Sequence, residues 1–263
     1  MNDFSVSVGC WCWPELATTD IQAAKAFYGK LLGWNSFDVS SAGGNYTLFR
    51  VGEADCAGCY AQSEEQRQRK DPVRWTNYVK VASADEAAKK AESLGGKIVA
   101  GPFDVPGVGR MAALRDPRGV PFALWQDGAH IGLRVAGRQG AHCWTELTTR
   151  DPQGAAAFYS GLFGWTVQEQ DMGGFTYRIF NQPGADMGVG GLMAMEGPEW
   201  GDMPDHFMQY FLVDDADATA GQVASLGGKV CVPVSPIPKV GRFAVLQDPQ
   251  GGTFSILEPE KGM

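Results

Sequence analysis

The sequence lacks any run of apolar residues near the length of about 18 that a membrane helix needs. Residues 1–10 contain no basic segment followed by an apolar one, so we expect no secretory signal peptide. Lysine and arginine do not cluster, and the 263 residues carry a formal net charge of −8. Nucleic acids and anionic membranes bind positively charged faces, so we predict that neither is a partner.

Motifs for phosphate binding and for nucleophilic catalysis are also missing. The sequence contains no P-loop, no dinucleotide-binding fingerprint and no nucleophile elbow. The glycine-rich segment 107–110 precedes a predicted strand, whereas a phosphate loop leads into a helix. The sequence therefore gives no support for nucleotide binding or for a serine nucleophile.

Six cysteines are present, and an even number can form disulfides in a secreted chain. This chain is large and shows no signal sequence, so we expect reduced thiols and a cytoplasmic location. The spacing Cys10-x-Cys12 with Cys56-x-x-Cys59 has some likeness to a zinc site. Only Cys12 has a counterpart elsewhere in the chain, Cys143, so we interpret the cysteines as small core residues.

The main feature that is present is an internal duplication. Residues 12–34 and 143–165 are identical at 14 of 23 positions, at an offset of 131. A later pair of segments, 94–122 and 226–254, matches at an offset of 132. The sequence therefore predicts two homologous halves of similar architecture. We place the boundaries as follows: first domain 1–128, glycine-rich linker 129–140, second domain 141–263.

A finer repeat divides each half into two modules. A helix predicted at 20–32 follows a strand and is followed by short strands near 45–51 and 54–61. Its apolar residues recur at helical spacing, and Asp20 is expected to cap it. The stripe contains Ile21, Ala24, Phe27, Tyr28, Leu31 and Leu32. Each half then reads as two βαβββ modules, which predicts an α+β fold of four modules.

This order of motifs resembles the vicinal oxygen chelate superfamily, which contains glyoxalases, bleomycin-resistance proteins and extradiol dioxygenases. The likeness covers roughly residues 8–126 and 140–258, and is nearest to a two-domain glyoxalase-like subgroup that includes a mycobacterial culture-filtrate antigen. The resemblance implies two curved, cup-shaped mixed sheets that bind a small molecule or a metal. It is carried by Asp20…Phe27-Tyr28…Leu32-Gly33-Trp34, Asp151…Phe158-Tyr159…Phe163-Gly164-Trp165, Asp116-Pro117-Arg118-Gly119 and Asp248-Pro249-Gln250-Gly251.

The resemblance also implies where a metal would be held. Metal-using members carry ligands on the first strand and the last strand of a module, and these side chains face into the cup. None of the matching side chains here is a good ligand for a hard divalent cation. We therefore expect no cofactor, and a divalent metal held by other residues is the alternative. The matching positions are Trp13, Trp144, Ala123, Ser255, Thr76 and Met208.

Two glutamates, Glu15 and Glu146, are the candidate catalytic residues. Alternation along the first strand predicts Trp13 and Glu15 on the cup face, with Cys12 and Leu16 on the helix face. In the second half the cup face is predicted to carry His142, Trp144 and Glu146. Burial beside an indole raises the pKa of a carboxyl group, which suits a general base. The alternative is structural: each glutamate accepts hydrogen bonds from the backbone or from an arginine.

Further ligand-binding candidates follow from the same alternation. Trp13 and Trp144 are predicted to form an aromatic wall. Tyr78 and Tyr210 are equivalent, and each hydroxyl can bind a ligand or lie at the rim of the core. The remaining candidates are His206, Arg110 and Arg242, and for both arginines an internal ion pair with Glu15 or Glu146 is slightly favoured over a ligand contact.

Three functions remain open from the sequence. The first is a metal-independent protein that binds a small molecule in a cup. The second is a lyase or isomerase of the glyoxalase type, which the resemblance suggests acts on methylglyoxal or a related carbonyl compound, with Glu15 or Glu146 as base. The third is a non-catalytic scaffold. We expect a monomer or a homodimer, because one chain already holds four modules.

Overall fold

A computed structural model describes residues 4–41, 44–184 and 188–260, with the backbone alone at 40–41 and 44–45. Two eight-stranded mixed sheets dominate it, one from each half of the chain. The first half contributes β1 (Trp11–Thr18), α1 (Ile21–Leu32), β2 (Asn35–Ser41), β3 (Gly44–Val51), β4 (Ala54–Ala61), α2 (Glu64–Gln68), β5 (Arg74–Lys80), α3 (Ala84–Ser93), β6 (Lys97–Val105), β7 (Gly109–Arg115) and β8 (Pro121–Asp127).

The second half repeats this order of elements. Its elements are β9 (His142–Thr149), α4 (Pro152–Phe163), β10 (Thr166–Asp171), β11 (Thr176–Asn181), β12 (Gly188–Ala194), β13 (His206–Leu212), α5 (Ala216–Val223), β14 (Lys229–Ile237), β15 (Gly241–Gln247) and β16 (Thr253–Pro259). The sheet orders are β2-β3-β4-β1-β5-β8-β7-β6 and β10-β11-β12-β9-β13-β16-β15-β14. The predicted α+β fold of tandem βαβββ modules with curved mixed sheets is confirmed.

Strand β1 joins the two modules of the first sheet, because it pairs with β4 in parallel and with β5 in antiparallel orientation. Strand β9 does the same in the second sheet. The first strands of the halves therefore lie at the centre of each sheet, where side chains are most enclosed. Two elements of the first half lie outside the helix and strands predicted from the sequence: strand β2 and the short helix α2.

Helix α1 forms as its sequence predicts. The Asp20 side chain accepts a hydrogen bond from the Ala23 N–H at 3.0 Å and so caps the first turn. Asp151 caps α4 in the same way through the Gly154 N–H at 2.9 Å. Five residues of the predicted apolar stripe of α1 are buried, and Ile21 is partly buried: the five are Ala24, Phe27, Tyr28, Leu31 and Leu32.

The core of the molecule combines helices of one half with strands of the other. Phe27 of α1 shares a buried cluster with Phe211 and Phe254 of the second sheet. Phe158 of α4 is buried in a second cluster with Phe122 of the first sheet. Each half therefore completes the hydrophobic core of the other, because the helix face of one sheet is covered by elements from both.

Two buried hydrogen bonds join a helix of each half to a turn of the other half. The Tyr28 hydroxyl donates to Asp248 Oδ2 at 2.9 Å, and the Tyr159 hydroxyl donates to Asp116 Oδ2 at 3.1 Å. Both aspartates begin an Asp-Pro-x-Gly turn and also accept backbone N–H bonds within it. Burial raises the pKa of Asp248, and bonds from the turn and from Tyr28 oppose that shift.

Helices long and apolar enough to cross a membrane are not found among the residues described.

Removing the Tyr28 hydroxyl tests how much the hydrogen bond between the two halves contributes to stability. We expect Tyr28→Phe to lower the free energy of unfolding by about 1.5–3 kcal/mol, because a bond to a buried carboxylate is lost. Urea unfolding followed by circular dichroism measures this change. Tyr60→Phe is the control, because its hydroxyl takes part only in a 3.4 Å contact with Gln66. Equal losses in the two variants would show that the Tyr28–Asp248 bond contributes nothing particular.

Candidate functional site

A hydrogen-bonded network lies on the concave face of the first sheet, which we call the first cup. The Tyr46 hydroxyl donates to Glu15 Oε2 and the Tyr78 hydroxyl donates to Glu15 Oε1, both at 2.7 Å. The Trp13 indole N–H donates to the Tyr46 hydroxyl at 2.9 Å. Both carboxylate oxygens of Glu15 are thus oriented by phenols, one of which is itself held by an indole.

The second cup, on the concave face of the second sheet, repeats this network. Tyr177 donates to Glu146 Oε2 at 2.7 Å, and Tyr210 donates to Glu146 Oε1 at 3.2 Å. The Trp144 indole N–H donates to the Tyr177 hydroxyl at 2.8 Å. The sequence therefore identified three of the four members in each half, and the structure brings them together.

Two glycines make room for the network. Gly58 on β4 pairs with Glu15, and Gly191 on β12 pairs with Glu146. A Cβ atom at Gly58 would overlap the Tyr46 hydroxyl, and one at Gly191 would overlap the Tyr177 hydroxyl. Only glycine at these positions lets the phenol pass over the neighbouring strand to reach the carboxylate.

Burial sets the electrostatics of both glutamates. Desolvation raises the pKa of Glu15, and the hydrogen bonds from Tyr78 and Tyr46 partly oppose it. Desolvation likewise raises the pKa of Glu146 against the bonds from Tyr177 and Tyr210. The pKa of both glutamates is therefore raised, which is the predicted direction. The hydrogen bonds that oppose the shift come from tyrosines.

The alternation predicted for the first strand is wrong at one position. The pairing of β1 with β5 shifts between Trp11 and Trp13, so Cys12 is an extra, bulged residue. Cys12 consequently packs in the cup-side cluster with Trp13 and Tyr78, and not against the helices. Leu16 lies on the helix side as predicted.

The same irregularity occurs in the second half. The pairing of β13 with β9 shifts at Cys143, which turns His142 away from the cup. The His142 Nε2 atom lies 2.8 Å from the Thr145 Oγ1 atom, and burial lowers the pKa of the imidazole to about 4. The prediction that His142 shares the cup face with Glu146 is therefore wrong.

Arg110 does not pair with Glu15, so the favoured internal ion pair is wrong. Its Nε donates to Asp85 of α3 at 2.7 Å, and its Nη1 donates to Asp104 at 2.8 Å. Met111, the next residue, packs on the cup-side cluster, so alternation directs Arg110 to the helix side of β7. A ligand contact by Arg110 stays a prediction without support from this position.

Arg242 repeats this arrangement in the second half. It forms ion pairs with Asp217 of α5 at 2.7 Å and with Glu258 at 3.6 Å. The predicted pair with Glu146 is therefore wrong for the same reason of strand alternation. His206 does lie on the cup face, because it pairs with Thr148, but its Nδ1 lies 2.9 Å from the Pro204 carbonyl oxygen.

The residues present do not fit a divalent metal of the kind that the fold suggests. In the ranges 4–41, 44–184 and 188–260, no three His, Cys, Asp or Glu side chains come together as a metal-binding group. Both oxygens of Glu15 already accept phenol hydrogens, and the neighbouring donors are indole and phenol groups. Neither group is a typical ligand for a hard cation.

The linker covers one end of the first cup. The His130 ring packs edge-on against Trp13, with 4.5 Å between centroids, and its carbonyl oxygen accepts from the Trp125 indole at 2.9 Å. Gly132 approaches β1 so closely that a Cβ atom would lie 2.6 Å from the Cys12 carbonyl oxygen. Trp13 is consequently only 6% exposed, whereas Trp144 in the second cup is half-buried.

Tyr46, Tyr177 and the two glycines that accommodate them were not predicted from the sequence. The signal was available in the duplication, because Tyr46 and Tyr177 differ by the same offset of 131 as Glu15 and Glu146. This signal was weak because tyrosine is common in β-strands. The contact of each tyrosine with the glutamate also passes over an intervening strand.

The sequence model of the glyoxalase/bleomycin resistance protein/dioxygenase superfamily matches residues 13–124 and again 141–256. The chain belongs to this superfamily, with one match in each half.

Two relatives align over nearly the whole chain. A Mycobacterium bovis protein named "Putative glyoxylase CFP32" is 38% identical over 250 residues, which cover 94% of each chain. The "Anthracycline biosynthesis protein DnrV" of Streptomyces peucetius is 33% identical over 268 residues, covering 97% of this chain and 94% of the relative.

Solved structures share the fold at low sequence identity. A Mn(II)-bound glyoxalase from Novosphingobium aromaticivorans has a TM-score of 0.66 at 17% identity, covering 96% of this chain and 83% of that one. The 2,3-dioxygenase LapB from Pseudomonas sp. KL28 has a TM-score of 0.61 at 12% identity, covering 96% of this chain and 93% of that one.

The close approach at Gly58 gives a direct test of the network. We expect Gly58→Ala to lower the free energy of unfolding by about 1–3 kcal/mol, because the new methyl group displaces the Tyr46 hydroxyl from Glu15. Combining it with Tyr46→Phe should cost less than the sum of the two single changes, since the displaced hydroxyl is gone. Denaturant unfolding of the three variants measures this coupling.

The matched control is Gly221→Ala in the exposed part of α5, where a Cβ atom meets nothing within 4 Å. That change should stabilise the chain by about 0.5–1 kcal/mol. Additive losses for Gly58→Ala and Tyr46→Phe would contradict the proposed contact.

Proposed function

We propose that this chain binds a small organic molecule in its cups without the metal set that its superfamily suggests. The observation that supports this most is the repeated Trp–Tyr–Glu–Tyr network on each concave face. Sites for small molecules are usually apolar cavities that hold a few convergent polar groups. A glutamate held by two tyrosines and flanked by tryptophan supplies the convergent polar groups of such a site.

Each glutamate keeps capacity for a ligand. An ionised carboxylate offers about four lone-pair positions, and the tyrosines occupy one on each oxygen. A hydroxyl or N–H group of a ligand can therefore donate to the same carboxylate. Glu15 is half-buried and Glu146 is 7% exposed, so Glu15 is the more accessible of the two.

The names of the relatives support an organic ring compound as ligand. DnrV is named for anthracycline biosynthesis, and anthracyclines are built on fused carbon rings. The indoles of Trp13 and Trp144 and the neighbouring phenols offer flat faces that pack against such rings. We place the protein in the cytoplasm as a monomer or homodimer, with domains 1–128 and 141–263 joined by a linker at 129–140.

Binding of 2-naphthol to chelator-treated protein tests this function. We expect saturable binding by isothermal titration calorimetry, together with shifts of the indole N–H signals of Trp13 or Trp144 in nitrogen-15 NMR spectra. Those two N–H groups report on their own cups, because each donates to the tyrosine of its network. Half-buried Trp200 supplies an indole signal outside both networks as control.

Absence of saturable binding, or equal shifts of all the indole signals, would contradict the proposal and favour a non-catalytic scaffold. A requirement for added Mn²⁺ or Zn²⁺ would contradict its metal-independent part.

A second function, a lyase or isomerase of the glyoxalase type, is favoured by the raised pKa of Glu15 and Glu146. The relative CFP32 is also named a glyoxylase. In such a reaction the carboxylate removes the C–H proton of a hemithioacetal and returns it to the adjacent ketone carbon, while the hydroxyl proton moves to the ketone oxygen, which gives the isomeric thioester. No oxidant or reductant is consumed, so a base with a tuned pKa suffices in principle.

The hemithioacetal of methylglyoxal and glutathione is the substrate for testing this alternative. If Glu15 or Glu146 is the base, the corresponding Gln variant should lose activity by about 100-fold or more while circular dichroism shows that it remains folded. Thioester absorbance measures turnover, and Glu92→Gln, at an exposed position of α3, is the matched control. Full activity in Glu15→Gln, Glu146→Gln and the double variant, or no turnover by the parent, would eliminate glutamate-based lyase chemistry.

A further inference from the structure

The two cups share their central network but differ at the rim near β2 and the start of β5. In both halves the register places equivalent residues at four rim positions. The first cup has aromatic, apolar and cationic residues where the second has polar and smaller ones. The pairs are Phe37 and Gln168, Val39 and Gln170, Tyr60 and Met193, and Arg74 and His206.

Strand pairing shows that these residues face the first cup. Phe37 pairs with Leu48, which packs on the cup-side cluster, and Val39 pairs with Tyr46, whose hydroxyl reaches Glu15. Cross-strand partners lie on one face of a sheet. The rings and methyl groups of this edge therefore border the same concave surface; Phe37 is 41% exposed, and the Arg50 guanidinium lies 4.2 Å from its ring centroid.

Arg74 is the unusual member of this rim. It lies two residues before Thr76, the residue that pairs with Glu15, and shares its face with Tyr78. Its Nε atom is buried and has no hydrogen-bond partner in the part of the chain that the structure describes. A buried guanidinium N–H without a partner costs free energy that a bound anion would offset.

Asp71, an acidic group near Arg74, is paired with another arginine. Asp71 lies close enough for Arg74 to contribute to its lowered pKa, but the first cause of that shift is a hydrogen bond from Arg69. Arg69 and Asp71 form an ion pair at 2.8 Å. Ion pairs recorded among residues 4–41, 44–184 and 188–260 do not include Arg74.

Tyr60 lies on β4, on the opposite side of β1 from Arg74. Burial is the main cause that raises the pKa of Tyr60, the Glu15 carboxylate adds to it, and the Gln66 hydrogen bond and Arg74 oppose it. Because Tyr60 pairs with Ala17 on β1 and with Tyr46 on β3, its ring is part of the cup wall.

We propose that the first cup binds a planar aromatic compound with a carboxylate at one end and a hydroxyl at the other. The carboxylate pairs with Arg74, the hydroxyl donates to Glu15, and the ring lies beside Tyr60 in the cup that Phe37 and Val39 border. Guanidinium and carboxylate groups form strong, directional pairs. This inference rests on the proposed binding function and specifies its ligand class in one cup.

The spacing of the two polar groups suits one or two fused rings. Glu15 pairs with Thr76, so Arg74 is its diagonal neighbour across the strands, at a Cα separation of about 7–8 Å. The hydroxyl and carboxylate of a hydroxylated naphthoate are separated on the same scale. The second cup has His206 in place of Arg74, and its Nδ1 already lies against the Pro204 carbonyl oxygen.

Three probes separate the charge contact from general binding: 6-hydroxy-2-naphthoate, 2-naphthol and 2-naphthoate. Calorimetry with the full chain should show that 6-hydroxy-2-naphthoate binds at least tenfold more tightly than 2-naphthol, which lacks the carboxylate. Arg74→Gln should weaken both naphthoates about tenfold or more and leave 2-naphthol within about twofold, because one charge-assisted contact is removed.

Exchanging rim residues between the cups tests the aromatic wall. Phe37→Gln with Val39→Gln gives the first cup the second cup's residues, and should weaken all three probes. Gln168→Ala in the second cup is the matched control and should change no affinity. The Trp13 indole N–H signal should shift with 6-hydroxy-2-naphthoate, and the Trp144 signal should stay in place.

The outcomes separate this inference from the proposed function. Binding of 2-naphthol with no preference for the naphthoates, or an Arg74→Gln variant that weakens 2-naphthol equally, overturns the inference and leaves cup binding standing. A response at Trp144 and not at Trp13 overturns the assignment to the first cup. Failure of every probe to bind overturns both.

Discussion

The exchange of helices between the halves is the constraint on which the rest of the structure depends. Tyr28 reaches across to Asp248, and Tyr159 reaches across to Asp116, so each Asp-Pro-x-Gly turn is held by a helix from the other half. The apolar side of both sheets is thereby filled by four helices acting together. The opposite, concave sides are left free of helices, and this is why both polar networks can lie there in a curved sheet.

On each concave face, the position of the glutamate's tyrosine partner depends on a glycine, which has no side chain, in the neighbouring strand. The phenol of Tyr46 or Tyr177 crosses a strand only because that strand carries glycine at the crossing point. The central strand, the phenol and the indole then hold one another in a fixed geometry. Duplication preserved this unit in both halves, whereas the rim residues around it differ between the halves.

Much of the fold followed from sequence because its signals are local or repeated. The Asp20 cap, the spacing of Phe27 and Leu31 and the 131-residue offset are all visible in one dimension. The errors came from contacts that cross strands. A bulge at Cys12 reverses the alternation behind the helix-face assignment, and Arg110 turns to Asp85 of α3 because one residue of register decides which side it faces. Tyr46 was missed since its partner lies beyond an intervening strand.

The linker makes an otherwise duplicated molecule asymmetric. A chain with two copies of a domain has one connection between them, and here that connection presses His130 and Gly132 against the Trp13 end of the first cup. The Trp13 side of the first cup is therefore covered by the linker, whereas Phe37 at the β2 edge is exposed. Trp144 has the greater solvent contact, and the second cup is correspondingly more open at that end.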